Sequence, residues 1–167
     1  MIFSLTPGFL YILAGIISFF LKGKLSRLFI LSVPILALFQ LINLDPTDTL
    51  SVSFLLSTLD FLRVDKLSLV FGYVFVIGSF AGFLYGIAIA KKTEYTSAFI
   101  YIGSALSVVF AKDLITLYIF WELMAISSTM LILLNGTNQS LKAAIRYIII
   151  HIIGGLVLLA GIMLHMQ

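Results

Sequence analysis

Six apolar runs, each close to the length of a membrane-spanning helix, follow one another along the 167-residue chain. A helix needs ~20 predominantly apolar residues to cross a bilayer, so six spans use roughly 120 residues and leave only short connections. The runs cover residues 2–21, 28–44, 67–90, 95–111, 114–134 and 141–165. The sequence therefore predicts an all-α fold, a polytopic transmembrane helix bundle in the lipid bilayer, with residues 1–167 as a single domain.

The composition excludes several other classes of protein. Only 10% of the residues are charged, against about 25% in a soluble domain. There is no Cys, and the two His, His151 and His165, do not form a zinc-binding HExxH motif. We therefore predict no cofactor and no metal site. The basic residues lie between the apolar runs rather than on one stripe, which excludes a nucleic-acid partner.

The distribution of basic residues predicts the orientation in the membrane. The first, third and fifth connections, with the first turns of the sixth helix, hold seven Lys/Arg, and the second and fourth hold three. Because Lys and Arg favour cytoplasmic loops, the odd connections are predicted to be cytoplasmic and both termini outside. The seven are Lys22, Lys24, Arg27, Lys91, Lys92, Lys142 and Arg146, and the three are Arg63, Lys66 and Lys112.

Two local patterns predict structure beyond the spans. Residues 51–54 alternate polar and apolar side chains within the long second connection, which fits a short extended segment as well as an interfacial helix. In the third helix Gly78, Gly82 and Gly86 recur at four-residue spacing, as do Gly103, Ser107 and Ala111 in the fourth. Small residues in this register predict close helix packing, with a hinge at the glycines as the alternative.

Glu122 is the most informative residue, because it is the only charge in the run from Leu114 to Leu134. An ionised carboxylate at the middle of a membrane costs at least ~2.5 kcal/mol, so such a residue is retained for a reason. Burial disfavours its ionised form and a nearby cation favours it, which suits a group that gains and loses a proton. The alternative is a protonated Glu that hydrogen-bonds a neighbouring helix.

Depth along the helices indicates which residues could reach Glu122. Counting twelve residues from the cytoplasmic end of each helix, or ~18 Å, places Ser79, Ser107 and, within one turn, His151 near the level of Glu122. Glu122 and His151 are the predicted proton-transfer groups, and Ser79 and Ser107 the supporting polar residues. For His151 the alternative is a neutral imidazole hydrogen-bonded inside the bundle.

Four charged residues near the helix ends have simpler interpretations. Lys112 and Asp113, before the fifth helix, are predicted either to pair at the surface or to mark an outer mouth. Lys142 and Arg146 enter the sixth helix, where long side chains can extend to the cytoplasmic surface, and are predicted to be anchors.

Three stretches resemble a known family. Residues 61–68 (FLRVDKLS), 113–128 (DLITLYIFWELMAISS) and the sixth helix from Ala143 to Gly161 resemble the antiporter-like subunits of respiratory complex I, Mrp-type cation/proton antiporters and membrane-bound hydrogenases. The sixth helix is most similar to the D-type component of Mrp antiporters. The phenylalanine-tryptophan-glutamate core, which ends at Glu122, is the most specific part of the resemblance.

The resemblance implies a function that the residues alone do not give. In that family the glutamate of the fifth helix pairs with a lysine on a broken seventh helix, and members have about fourteen helices, so the resemblance covers the amino-terminal six. It implies part of a proton/cation-translocating subunit with Glu122 as its acid and other membrane subunits, protons and Na⁺ as partners. The chain itself has no catalytic motif. Whether it is a subunit of a redox-driven oxidoreductase stays open. The rival is a non-transporting structural subunit.

Overall fold

The computed structural model describes residues 6–21, 23–45, 51–54, 57–87 and 91–166. Six helices form in this part of the chain, and their presence confirms the predicted all-α class. Residues 2–5 and 88–90 of the predicted spans, together with Lys22, lie outside the described residues. The helices are α1 Pro7–Phe20, α2 Gly23–Ile42, α3 Lys66–Gly86, α4 Lys92–Phe110, α5 Leu114–Leu133 and α6 Asn138–His165.

Four of these helices, α2, α3, α5 and α6, are long and apolar enough to cross a membrane by length and composition. α1 is apolar but has 14 described residues, or about 21 Å of helix. α4 has 19 residues and carries Lys92 and Glu94 in its first turn. Several helices of this kind in one chain are typical of a multi-pass membrane protein.

Polar caps explain why two helices begin before their apolar runs. Asp65 accepts a hydrogen bond from the Ser68 backbone N–H at 2.8 Å, and the Ser68 hydroxyl accepts one from the Asp65 N–H at 2.9 Å. The bond from the Ser68 N–H lowers the pKa of Asp65. Thr137 and Ser140 form the same reciprocal pair at the start of α6. These caps satisfy free N–H groups, which hydropathy does not register, so α6 begins three residues before the predicted run.

α2 begins five residues before its predicted start. The first residue of α2 is Gly23, whose φ of +69° lies in the left-handed region that glycine adopts without steric cost. The helix then continues through Lys24 and Arg27, both exposed. Hydropathy marks where the apolar residues begin, whereas the backbone is already helical in the polar residues before them. The apolar run therefore underestimates the length of the helix.

The first four helices pack as a ring, and the last two extend it on one side. α1 contacts α2 and α4, and α3 contacts the same two helices. The core of the ring includes Tyr11, Leu41, Phe99 and Phe110, all with 1% or less of their surface exposed. α5 packs against α4, and α6 packs against α5, so most of the α6 surface is left uncovered by the described residues.

The long second connection contains a hairpin of two antiparallel strands, β1 Ser51–Phe54 and β2 Ser57–Asp60. Ser51 pairs with Asp60 and Phe54 with Ser57. Of the two interpretations of the 51–54 alternation, the extended segment is therefore the one observed. A period of two is the repeat of a strand, in which successive side chains point to opposite faces.

The two small-residue stripes have different environments. At Gly103 a Cβ would lie 2.7 Å from the Gly8 carbonyl oxygen, so α4 and α1 approach closely there, as predicted. At Gly78 and Gly82 a Cβ would meet no described atom within 4 Å. Among the described residues, the predicted close packing is therefore not found at Gly78 and Gly82 of α3, because spacing along a helix does not say which face has a neighbour.

Candidate functional site at the contact of α5 and α6

Glu122 lies in the ninth position of α5, near the middle of the helix. Its side chain is half-buried, and its Oε1 atom is fully buried without a hydrogen-bond partner among the described residues. Buried side-chain oxygens are almost always hydrogen-bonded, so an unpaired one calls for an explanation. The structure therefore places an available carboxyl oxygen inside the protein.

The carboxyl group of Glu122 rests against Gly155 of α6. A Cβ on Gly155 would lie 3.2 Å from Cδ and 3.7 Å from Oε2 of Glu122, and it would overlap Oε1. Gly155 is itself buried. The space that holds the carboxyl group therefore exists because residue 155 has no side chain.

His151 lies one helical turn before Gly155, and two aromatic rings stack on its imidazole. The Trp121 ring stacks on the imidazole with centroids 6.0 Å apart and planes at 25°, and the Tyr147 ring does so at 5.9 Å and 28°. The Nε2 atom of His151 is buried and also lacks a hydrogen-bond partner in the described part of the chain. The orientation of the imidazole is thus fixed by packing, and one nitrogen is left available.

Contacts between α5 and α6 fix their antiparallel register. The hydroxyls of Ser128 and Tyr147 are 2.9 Å apart, Trp121 stacks on His151, and Glu122 contacts Gly155. Later residues of α5 pair with earlier residues of α6, apart from a local offset of one turn between the Trp121 and Glu122 pairs, as expected for antiparallel helices. Depth counting placed His151 within one turn of Glu122, and the register agrees. The structure describes no hydrogen bond between the two, so their partnership stays a prediction.

An open groove borders this contact and has a volume of about 470 Å³. Its lining is mostly apolar and includes Leu117, Trp121, Tyr147 and Ile150, together with the imidazole of His151. The groove is therefore formed by α5 and α6 alone among the described residues, and His151 forms part of its wall.

The structure places the two predicted supporting serines elsewhere. Ser79 shares a hydrogen bond of 2.5 Å with the Tyr11 hydroxyl and donates to the Val76 carbonyl at 2.7 Å. Ser107 is buried against Gly8, and its Oγ has no hydrogen-bond partner in the described ranges. Both serines therefore face α1 inside the ring, whereas Glu122 and His151 lie together at the α5–α6 contact. Their supporting role stays a prediction.

Lys112 and Asp113 hold the hairpin rather than each other. Lys112 forms an ion pair with Asp60 at 2.8 Å. Asp113 caps α5 by accepting from the Thr116 N–H at 2.8 Å, and it accepts from the Asp60 N–H at 2.8 Å. Phe61 continues this attachment by packing edge-to-face on Phe120. The predicted Lys112–Asp113 surface pair is replaced by a junction between β2 and the α4–α5 turn.

The remaining predicted residues are at the opposite end of the helices. Lys142 and Arg146 are exposed on the first turns of α6, which is compatible with anchors, a role that stays a prediction. Among the described residues, no group of three His, Asp or Glu is placed to hold a metal ion.

Three residues of the site were not predicted from the sequence as functional positions: Trp121, Tyr147 and Gly155. Trp121 lies away from the membrane interface, where aromatic residues usually occur, and this was the available signal. Gly155 could have been found by the same depth count that placed His151. A glycine carries no chemistry of its own, so nothing in the sequence drew attention to it.

The fold and the site define a class: a multi-pass α-helical membrane protein with a buried carboxyl group where its last two described helices meet. Residues 111–167, which include the whole site, match the family described as NADH:quinone oxidoreductase/Mrp antiporter, TM. These residues are about a third of the chain, and over them the resemblance stated from the sequence is confirmed.

Individual relatives agree with the resemblance to antiporter subunits, and they are named as subunit A1 rather than as a D-type component. The chain is 36% identical over 152 residues to the Na⁺/H⁺ antiporter subunit A1 of Staphylococcus aureus, a match that covers 81% of this chain and 19% of the relative. The same subunit of strain JH9 is 35% identical with the same coverage. The chain thus spans about a fifth of the length of the curated relatives it matches.

A solved structure supports the fold independently. The structure described as the membrane-bound sulfane sulfur reductase (MBS), an archaeal respiratory membrane complex, matches with a TM-score of 0.72. The match covers 94% of this chain and 36% of that chain, at 18% sequence identity. At this identity the likeness shows that the two share a fold. The family match and these relatives make the chain similar to antiporter-like membrane subunits.

Proposed function

We propose that this chain is part of a proton/cation-translocating subunit in a multisubunit membrane complex, and that Glu122 accepts and releases the transported proton. His151 is the second proton-transfer group. The relatives named as Na⁺/H⁺ antiporter subunits make Na⁺ the first cation to test. In this proposal the partners of the chain are other membrane subunits of the complex.

The observation that carries this proposal is the buried, unpaired Oε1 of Glu122. A carboxyl group whose hydrogen bonds are all made inside the bundle is held in one protonation state. An oxygen without a hydrogen-bond partner in the described residues is not committed to such a bond. An ionisable group at this depth is costly, so a carboxyl group there is retained for a reason. Because the carboxyl group at the α5–α6 contact has an oxygen without a described partner, we take that reason to be proton transfer.

The rival function is a structural subunit in which Glu122 is a hydrogen-bonding packing residue. That role requires a partner for the carboxyl group on a neighbouring helix, and Oε1 has none within the described ranges. The contact with Gly155 contributes no N–H or O–H donor. The geometry therefore favours transport.

The test replaces each of the two glutamates of the sequence by glutamine. In membrane vesicles that contain the complete complex, Glu122→Gln removes the titratable group and nearly keeps its shape. We expect Na⁺-dependent proton movement to fall on the order of 10²-fold, the usual scale for losing a proton-transfer group. Glu94→Gln is the matched control. Glu94 accepts a hydrogen bond from the Lys91 N–H at the start of α4, and a glutamine oxygen accepts the same bond, so transport is expected to persist.

Two outcomes would contradict the proposal. Transport unchanged by Glu122→Gln would show that the carboxyl carries no proton. A loss of the protein from the membrane together with the loss of transport would instead favour the structural role. If proton movement responds to an electron donor rather than to a Na⁺ gradient, the chain belongs to a redox-driven complex, and the proposed role of Glu122 is retained.

A further inference from the structure

We propose that Gly155 is a positioning residue for Glu122: the absence of a side chain at position 155 lets the carboxyl group occupy the contact between α5 and α6. This inference rests on the proposed function of Glu122. It goes beyond that function because it assigns a role to a residue of the facing helix that has no ionisable group.

The geometry around Gly155 is specific to this glycine. A Cβ there would overlap Oε1 of Glu122, and the three atoms nearest to that Cβ position all belong to the Glu122 carboxyl group. The carboxyl group is thus the first thing that a side chain at position 155 would meet. On the same helix, Gly161 is exposed, and a Cβ there would meet no described atom within 4 Å. Gly155 is therefore set apart by its contact and not by helix packing in general.

The contact also determines where the carboxyl group points. Gly155 follows His151 by four residues, and positions four apart lie on the same face of a helix. A carboxyl group seated on Gly155 therefore lies one turn from the imidazole, on the face that α6 presents to α5. A side chain at position 155 would force the carboxyl to another rotamer, away from this face.

Proton transfer depends strongly on such a displacement. Donor and acceptor atoms must approach to about 2.6–3.2 Å, or be linked by one water molecule. A misplacement of ~1 Å can lower a rate on the order of 10²-fold. The contact of the Glu122 carboxyl group with Gly155 is therefore expected to control the rate of proton transfer, although Gly155 itself transfers no proton.

The experiment compares Gly155→Ala with Gly161→Ala in vesicles that contain the complete complex. Both substitutions add one methyl group to α6 and raise its helix propensity alike. We expect Gly155→Ala to lower Na⁺-dependent proton movement by about tenfold or more and to shift the infrared carboxyl band that Glu122→Gln removes. Gly161→Ala is expected to leave both signals unchanged. Normal transport and an unshifted band in Gly155→Ala would overturn the inference.

A rescue experiment covers the case in which Gly155→Ala does not accumulate in the membrane. Glu122→Ala removes the carboxyl group, so the double variant has no collision and is expected to accumulate again. If the double variant still fails to accumulate, the methyl group collides with something else and the inference is wrong. If Glu122→Gln leaves transport intact, the proposed function fails. The infrared shift in Gly155→Ala still tests whether Gly155 positions the Glu122 carboxyl group.

Discussion

Glu122 and His151 each have a buried polar atom without a described partner, and they lie on consecutive helices about one turn apart. If they share a proton through a bound water or another subunit, removing one residue also lowers the contribution of the other to proton movement. We expect the effects of Glu122→Gln and His151→Ala on proton movement to be non-additive by on the order of 0.5–3 kcal/mol. The measurement is a double-mutant cycle on Na⁺-dependent proton movement.

His165→Ala is the control for this cycle, because His165 is the other histidine of the chain and is exposed at the end of α6. It should combine additively with Glu122→Gln. Additive effects of His151 as well would mean that the imidazole has only a packing role between Trp121 and Tyr147. Coupling in thermal stability but not in transport would point to a structural pair.

At the residue scale, the sequence indicates candidate residues and their depth along a helix. It does not indicate the side of the helix on which each residue lies. A single charge in an apolar run identified Glu122, and depth along the helices identified the level of His151. Depth is one coordinate of a helical residue, and the angle around the helix axis is the other. Ser79 and Ser107, chosen by depth alone, face α1 instead. The angle is fixed by packing between helices, which one sequence does not display.

At the scale of elements, Asp113 links the start of α5 to the hairpin. Its carboxylate accepts hydrogen bonds from the Thr116 N–H and hydroxyl and from the Asp60 N–H. Asp113→Ala removes an N-cap, which typically costs ~1 kcal/mol, as well as the bond to the hairpin. We expect the free energy of unfolding of the purified protein in detergent to fall on the order of 1–2 kcal/mol.

Asp113→Asn separates the two roles of this carboxylate. An asparagine oxygen can still cap α5, and Asn is as good an N-cap as Asp, but its NH₂ group cannot accept the bond from the Asp60 N–H. The loss of stability should therefore be smaller than with alanine. Equal losses for Asn and Ala would show that the cap contributes nothing.

The elements themselves were largely predictable, and their ends were not. Burial in lipid requires long apolar stretches, so the runs marked all six helices. Caps such as Asp65 with Ser68 and Thr137 with Ser140 extend helices into polar sequence, where hydropathy gives no signal. The 51–54 alternation predicted a strand only as one of two choices. Its pairing with β2 and the attachment of Asp60 to Lys112 decided between them.

At the scale of the whole molecule, the charges separate between the two ends of the bundle. The helices alternate in direction, since the contacts of α1 with α4 and of α5 with α6 are antiparallel. One end carries Lys24, Arg27, Lys91 and Lys142, and the other carries the hairpin and the Lys112–Asp60 ion pair. Glu122 lies between these ends, near the middle of α5.

The separation predicts that the lysine-rich end is cytoplasmic and that both termini are outside. Asn43, after α2, and Asn135, after α5, are exposed at opposite ends of the bundle and form a matched pair for labelling. The sequence has no Cys, so each single Asn→Cys variant carries one thiol. In intact cells an impermeant thiol reagent should label Asn43→Cys and spare Asn135→Cys, and permeabilised cells should show both labelled. Labelling of Asn135→Cys alone in intact cells would invert the orientation. Glu122 would stay near the middle of α5, while the hairpin junction at Lys112 and Asp113 would face the cytoplasm.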